Sequence, residues 1–171
     1  MFFIPGFLIS LLTFPGVIVH ELAHQLACRY MKVPVYEVCY FQIKNPTGYV
    51  VHGKTENFTQ TVVISILPFF MNTIVGLFFF VPGYFSTADS GLDLLLMWFG
   101  ISVLMHAFPS REDLHQIFQG MKEKKLNFFA KLIMFPVACV MWIGTVGSVI
   151  WLDLGYAILM VSLVQMAIVY A

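Results

Sequence analysis

Five apolar stretches dominate the chain, at roughly residues 3–28, 60–83, 92–108, 130–151 and 154–170. Each is near the length, about 20 residues, that a helix needs to cross a bilayer. A lipid-exposed segment must pair its own amides, so helix is the local structure open to such a stretch. Hydrophobic residues fill 60% of the 171 positions and charged residues 11%, where a soluble domain would carry roughly 25% charged. The chain reads as one all-α multipass membrane domain over residues 1–171, with about five transmembrane helices. Only Trp151-Leu152-Asp153 separates the last two stretches, so four crossings with a tilted or re-entrant segment is the alternative. Residues 1–28 lack the basic leader of a cleaved signal peptide and are expected to stay in place.

Basic residues fall in two connections. Arg29, Lys32, Lys44 and Lys54 follow the first stretch; Arg111, Lys122, Lys124, Lys125 and Lys131 follow the third. The connections between them hold only Asp89, Asp93 and Asp153. Lys and Arg concentrate on the cytoplasmic side of membrane proteins, which places the N-terminus outside and both basic connections inside. Lys+Arg and Asp+Glu both number 9, so nothing in the charge points to a nucleic-acid partner. Cys28, Cys39 and Cys139 form no close pair, and neither a disulfide framework nor a cysteine metal site is expected. Cys28 beside Arg29 is open to acylation, although a buried, idle thiol is the plainer reading.

Between the first two stretches, Val35, Tyr36, Val38, Tyr40, Phe41 and Ile43 favour extended chain, as do Tyr49, Val50 and Val51. Asn45-Pro46-Thr47-Gly48 between them supplies turn chemistry. A small β-hairpin on the cytoplasmic side follows, either accepting a substrate strand at its edge or covering a site. Residues 111–128 read as an amphipathic interfacial helix, with Leu114, Ile117, Phe118 and Met121 on one face.

One motif carries chemistry. In His20-Glu21-Leu22-Ala23-His24 the histidines lie four apart, hence on one helix face about 6 Å apart along the axis. Two imidazoles so placed suit one zinc ion, and Glu21 beside them suits the general base of a metalloprotease. His24 and His20 precede Arg29 by five and nine residues, about 7 and 13 Å into the membrane from its cytoplasmic end. Pro15-Gly16, one turn earlier, is a place for a kink that admits water. A catalytic zinc needs a third protein ligand. His106, Glu112, Asp113 and His115 stand near the correct end of the third stretch, with His52 in the hairpin a weaker option. Pro109 should break the third helix there. Ser110-x-x-Asp113 is also a helix-capping box, so spacing alone leaves Asp113 between cap and ligand.

Together these residues resemble the site-2 protease family of intramembrane zinc metalloproteases. The resemblance covers roughly residues 10–115. It rests on His20-Glu21-Leu22-Ala23-His24, on Asp113 a few residues after Pro109, and on Pro68 with Asn72 in the second core span. Where the family has Leu-Asp-Gly, this chain has Glu112-Asp113-Leu114, and Leu67 replaces a usual glycine. The resemblance implies His20, His24 and Asp113 as zinc ligands, Glu21 as catalytic base, and Asn72 facing the catalytic cavity to bond substrate. Asn72 as an interhelical tie is the structural alternative. His106 is a candidate to orient a ligand from behind, or a histidine satisfied within the bundle. The expected function is hydrolysis of membrane-embedded or membrane-adjacent peptides, with the lipid bilayer and a membrane protein or peptide as partners. The rivals are a catalytically inactive metal-binding scaffold and a metal or ion transporter.

Overall fold

The computed structural model describes residues 6–86, 91–123, 126 and 128–170. Asp89, Lys124 and Lys125, used above for orientation, lie outside the described residues. The chain is mostly helical: α1 (Gly6–Leu12), α2 (Phe14–Tyr30), α3 (Phe58–Phe85), α4 (Gly91–Met105), α5 (Arg111–Glu123), α6 (Phe128–Gly147) and α7 (Leu152–Val169). Strands β1 (Val35–Cys39) and β2 (Tyr49–His52) form a two-stranded antiparallel sheet between α2 and α3.

By length and composition, α3 and the run Phe128–Ile150 are sufficient to cross a membrane. α1 and α2 supply a third crossing if the pair, bent by 92°, is taken as one. α4 and Leu152–Ile168 are apolar but shorter. Among the described residues, two or three sufficient helices thus stand where five crossings are expected. The first bend falls at Thr13, just ahead of Pro15-Gly16. Pro15 sits in the first turn of α2, where its missing N–H is one the helix leaves unpaired anyway. Thr13 closes α1 instead, its amide and hydroxyl both donating to the Ile9 carbonyl.

α3 begins at a capping box, in which Asn57 accepts from the Gln60 amide while the Gln60 side chain reaches back. α4 and α5 run back along it in succession. Gly83 faces Asp93 and Met97, Gly76 faces Gly100 and Leu104, and Gly120 faces Phe58 and Thr61. The interruption between the two helices spans residues 106–110. α5 is amphipathic as expected, with Leu114 and Ile117 buried and Phe118 and Met121 partly so. It lies along the first half of α3 rather than standing apart from the bundle.

The last two helices occupy successive levels along α3, not side-by-side positions. Ala138 and Met141 of α6 join Leu114, Ile117 and Ile66, and Gly144 abuts Phe108. Ala157 and Val161 of α7 join Phe80, Leu104 and Met105. The junction, with Trp151 in the left-handed region at φ 66°, therefore sits level with the break between α4 and α5. Thr145 marks this, its hydroxyl donating to the Pro109 carbonyl at 2.6 Å. Asp153 is consequently beside that break and lines one cavity with Pro109 and Ser110.

Glycines set how closely α3 and α4 approach. A methyl on Gly100 would lie 2.7 Å from the Gly76 carbonyl oxygen and 2.6 Å from the Phe80 Cβ, neither of which can swing aside. Gly100→Ala is expected to lower the thermal unfolding temperature in detergent, by the equivalent of about 1–3 kcal/mol of overpacking. Gly155→Ala, with nothing within 4 Å of the added carbon, is expected to be neutral or mildly stabilising.

Candidate metal centre

α2 packs through a stripe of small residues, with Gly16, Ala23 and Ala27 buried on the same side as His20 and His24. At Gly16 the approach is close enough that a methyl would run into the Ser102 carbonyl of α4. The two imidazoles are thereby carried into the space between α2, α3 and the α4–α5 break.

Each imidazole is held from behind by a backbone carbonyl. His20 Nδ1 lies 2.8 Å from the His106 oxygen, and His24 Nδ1 lies 2.9 Å from the Ile64 oxygen. Carbonyls accept only, so both Nδ1 atoms carry the proton and both Nε2 lone pairs face forward. Both carbonyls are ones that a helix interruption has released. The Ile64 oxygen would ordinarily receive the amide of residue 68, but residue 68 is proline and has none. The His106 oxygen would receive the amide of Ser110, but that amide instead donates to Asp113 Oδ2 at 2.9 Å.

That last bond belongs to a capping box. Asp113 Oδ2 also accepts the Ser110 hydroxyl at 2.6 Å, and Ser110 Oγ accepts the Asp113 amide. The same Oδ2 stands 3.4 Å from His24 Nε2 and 3.9 Å from His20 Nε2. Cap and candidate ligand, which spacing sets against each other, fall on one carboxylate oxygen. The two Nε2 atoms are 3.1 Å apart. A triangle with these sides has a point about 2.0 Å from all three atoms, matching zinc–nitrogen and zinc–oxygen bonds of roughly 2.0–2.2 Å. His20, His24 and Asp113 are all buried and form a group able to hold a metal ion. Two neutral imidazoles and one carboxylate also fit a divalent cation in charge.

The other candidates separate clearly. Glu112 and His115 are exposed on α5, and His52 bonds its neighbour's carbonyl through Nδ1. His106 orients His20 through its backbone, while its ring Nδ1 lies on the Ser102 oxygen. Asn72 is fully buried and spends its amide group on the carbonyls of Gly16, Val103 and His106. Those bonds tie α3 to α2 and to the end of α4, and they leave its Oδ1 without a partner among the described residues. Cys28 is buried, out of reach of acylation.

Glu21 faces a cavity of about 350 Å³ together with His20. The hairpin loop residues Pro46, Thr47 and Gly48 form one side of it, and a methyl on Gly48 would come within 2.7 Å of the Glu21 Cγ. Thr145, Ser148 and Asp153 from the α6–α7 junction form another side. Composition and spacing give no sign of these, because hydropathy does not tell the level at which the junction packs. Comparison with protein-family models, with curated proteins and with solved structures finds no match.

The released Ile64 carbonyl makes a specific expectation. Pro68→Ala restores an amide that competes with His24 for that oxygen. The metal-free protein should become more heat-stable, since proline inside a helix costs about 3 kcal/mol. Zinc affinity, measured by competition with a chromophoric chelator, should fall roughly 10–100-fold, as when other groups that orient ligands are lost. Unchanged affinity would show that His24 needs no such anchor.

Proposed function

We propose that the chain is a membrane-embedded zinc peptidase that cleaves peptides within or beside the bilayer. The observation that carries this reading is the buried His20–His24–Asp113 triangle, whose His20 lines a cavity of about 350 Å³ together with Glu21. A structural metal site has no need of an acid beside its ligands. The resemblance to the site-2 protease family, whose implied ligands are these three residues, supports the same function.

His20, His24 and Asp113 would hold the ion. Bound zinc would supply polarisation of a scissile carbonyl and a lowered pKa for water beside it. Glu21 takes the proton of the attacking water and passes it to the leaving amine. The His106 and Ile64 carbonyls accept from Nδ1 of the two imidazoles and so hold both rings in the tautomer that leaves Nε2 free for the ion. Pro46–Gly48 limits access to Glu21 from the hairpin side. A substrate helix must unwind before cleavage, because its carbonyls are already bonded along its own axis.

The basic connections place this centre towards the cytoplasmic face. We read four crossings rather than five, namely α1 with α2, α3, α4 continued by α5, and α6 continued by α7; the support is the α6–α7 junction lying beside the α4–α5 break. α6 and α7 together are about 57 Å long, more than the roughly 30 Å of a hydrocarbon core, so their shared crossing is oblique.

Two experiments test these statements. Glu21→Gln should keep one equivalent of zinc and lose cleavage of a membrane-peptide substrate by at least about a hundredfold. His24→Ala should lose both. Cleavage surviving Glu21→Gln contradicts the mechanism. For topology, a reporter fused at the end of α7 is expected on the side opposite Lys54 and Lys122. A reporter on the same side as those lysines would make α6 and α7 separate crossings.

A further inference from the structure

The α6–α7 junction lies outside the residues that resemble a known family, yet it forms a wall of the cavity that holds His20 and Glu21. Its polar groups are not equivalent. The Thr145 hydroxyl donates to the Pro109 carbonyl and the Ser148 hydroxyl donates to the Thr145 carbonyl, so both protons are committed within the wall. Asp153 is different. One of its oxygens accepts the amide of Leu154 at 2.9 Å, and no cation among the described residues comes within ion-pair distance of it.

A half-buried carboxylate in an apolar bundle is costly unless a cation completes it, and such residues in membrane proteins mark pathways or ligand sites. Arg111 lines the same cavity but is exposed and remains hydrated. Stabilising the first turn of α7 explains an acid at that position. It does not explain why the helix begins at the depth of the metal centre, facing the cleft.

We propose that Asp153 is a specificity subsite, receiving a lysine or arginine side chain of the peptide that lies across Glu21 and the metal ligands. This rests on the peptidase reading and names the substrate class within it: apolar, membrane-associated peptides with a basic residue close to the scissile bond. The distance from His20 and Glu21 to the junction wall is spanned by one cavity, so the basic side chain and the scissile bond belong to the same short segment.

The test uses zinc-loaded Glu21→Gln protein in detergent and fluorescein-labelled apolar peptides with a Gly-Pro centre. Each peptide carries one Lys, Gln or Glu at successive positions around that centre, and binding is read by anisotropy. At one position Lys should bind about tenfold or more tighter than Gln, as expected for a hydrogen-bonded charge pair. Asp153→Asn should abolish the preference, Asp153→Glu should retain it, and Asp153→Lys should invert it in favour of Glu. Equal binding of the three peptides, or a Lys preference that survives Asp153→Asn, overturns the proposal. Protein with Glu21 intact separates this from the parent reading. Equal cleavage of Lys and Gln peptides overturns the subsite while leaving a peptidase. Asp153-dependent binding with no cleavage of any peptide supports the subsite and overturns the peptidase.

Discussion

A buried imidazole that is to offer one nitrogen to a metal must give the proton on its other nitrogen to an acceptor. Inside a membrane bundle the only abundant acceptors are backbone carbonyls, and an unbroken helix has already used them. This chain meets the requirement twice by interrupting a helix. Pro68 releases the Ile64 carbonyl to His24, and the end of α4 releases the His106 carbonyl to His20. Each interruption costs helix stability, and each is offset by a hydrogen bond made where water is scarce. The candidate metal centre is thus a property of several elements together, not of α2 alone. The two histidines alone, on a helix packed against unbroken neighbours, would have no fixed tautomer.

The third donor follows the same logic. Ending α4 requires a new helix start, and Ser110 with Asp113 caps that start. The capping bonds hold the Asp113 carboxylate in one position, and that position is within 3.4 Å of His24 Nε2. Asn72 reinforces the arrangement by donating to the His106 carbonyl as well as to Gly16 and Val103. Close packing at Gly16, Gly76 and Gly100 brings the backbones near enough for such side chain to backbone bonds to span helices. Stability and chemistry are linked here through shared carbonyls: loosening the α3–α4 contact moves the acceptor that orients His20.

Much of this was legible in the residues. Helical spacing placed His20 and His24 on one face, and Pro109 located the break. Val35–Cys39 and Tyr49–His52 form the sheet that β-branched and aromatic residues foretold. Two things were hidden for physical reasons. Carbonyl acceptors carry no side-chain signature, so nothing in the identities of Ile64 and His106 marks them as anchors. The level at which a helix lies in a bundle is set by packing partners such as Phe108 against Gly144, not by its own hydropathy. Hydropathy therefore leaves the short connection at Trp151 open between a turn joining two crossings and a tilted or re-entrant segment. Its true place beside Pro109 brings Thr145, Ser148 and Asp153 to the cleft.

One ion shared by His20, His24 and Asp113 is tested most directly by X-ray absorption at the zinc edge on purified, zinc-loaded protein. The fit should require two imidazoles and one carboxylate oxygen at about 2.0–2.2 Å, and Asp113→Ala should remove the carboxylate contribution while the imidazoles remain. A stoichiometric site lacking imidazole ligands, or no retained zinc at all, would contradict the shared centre.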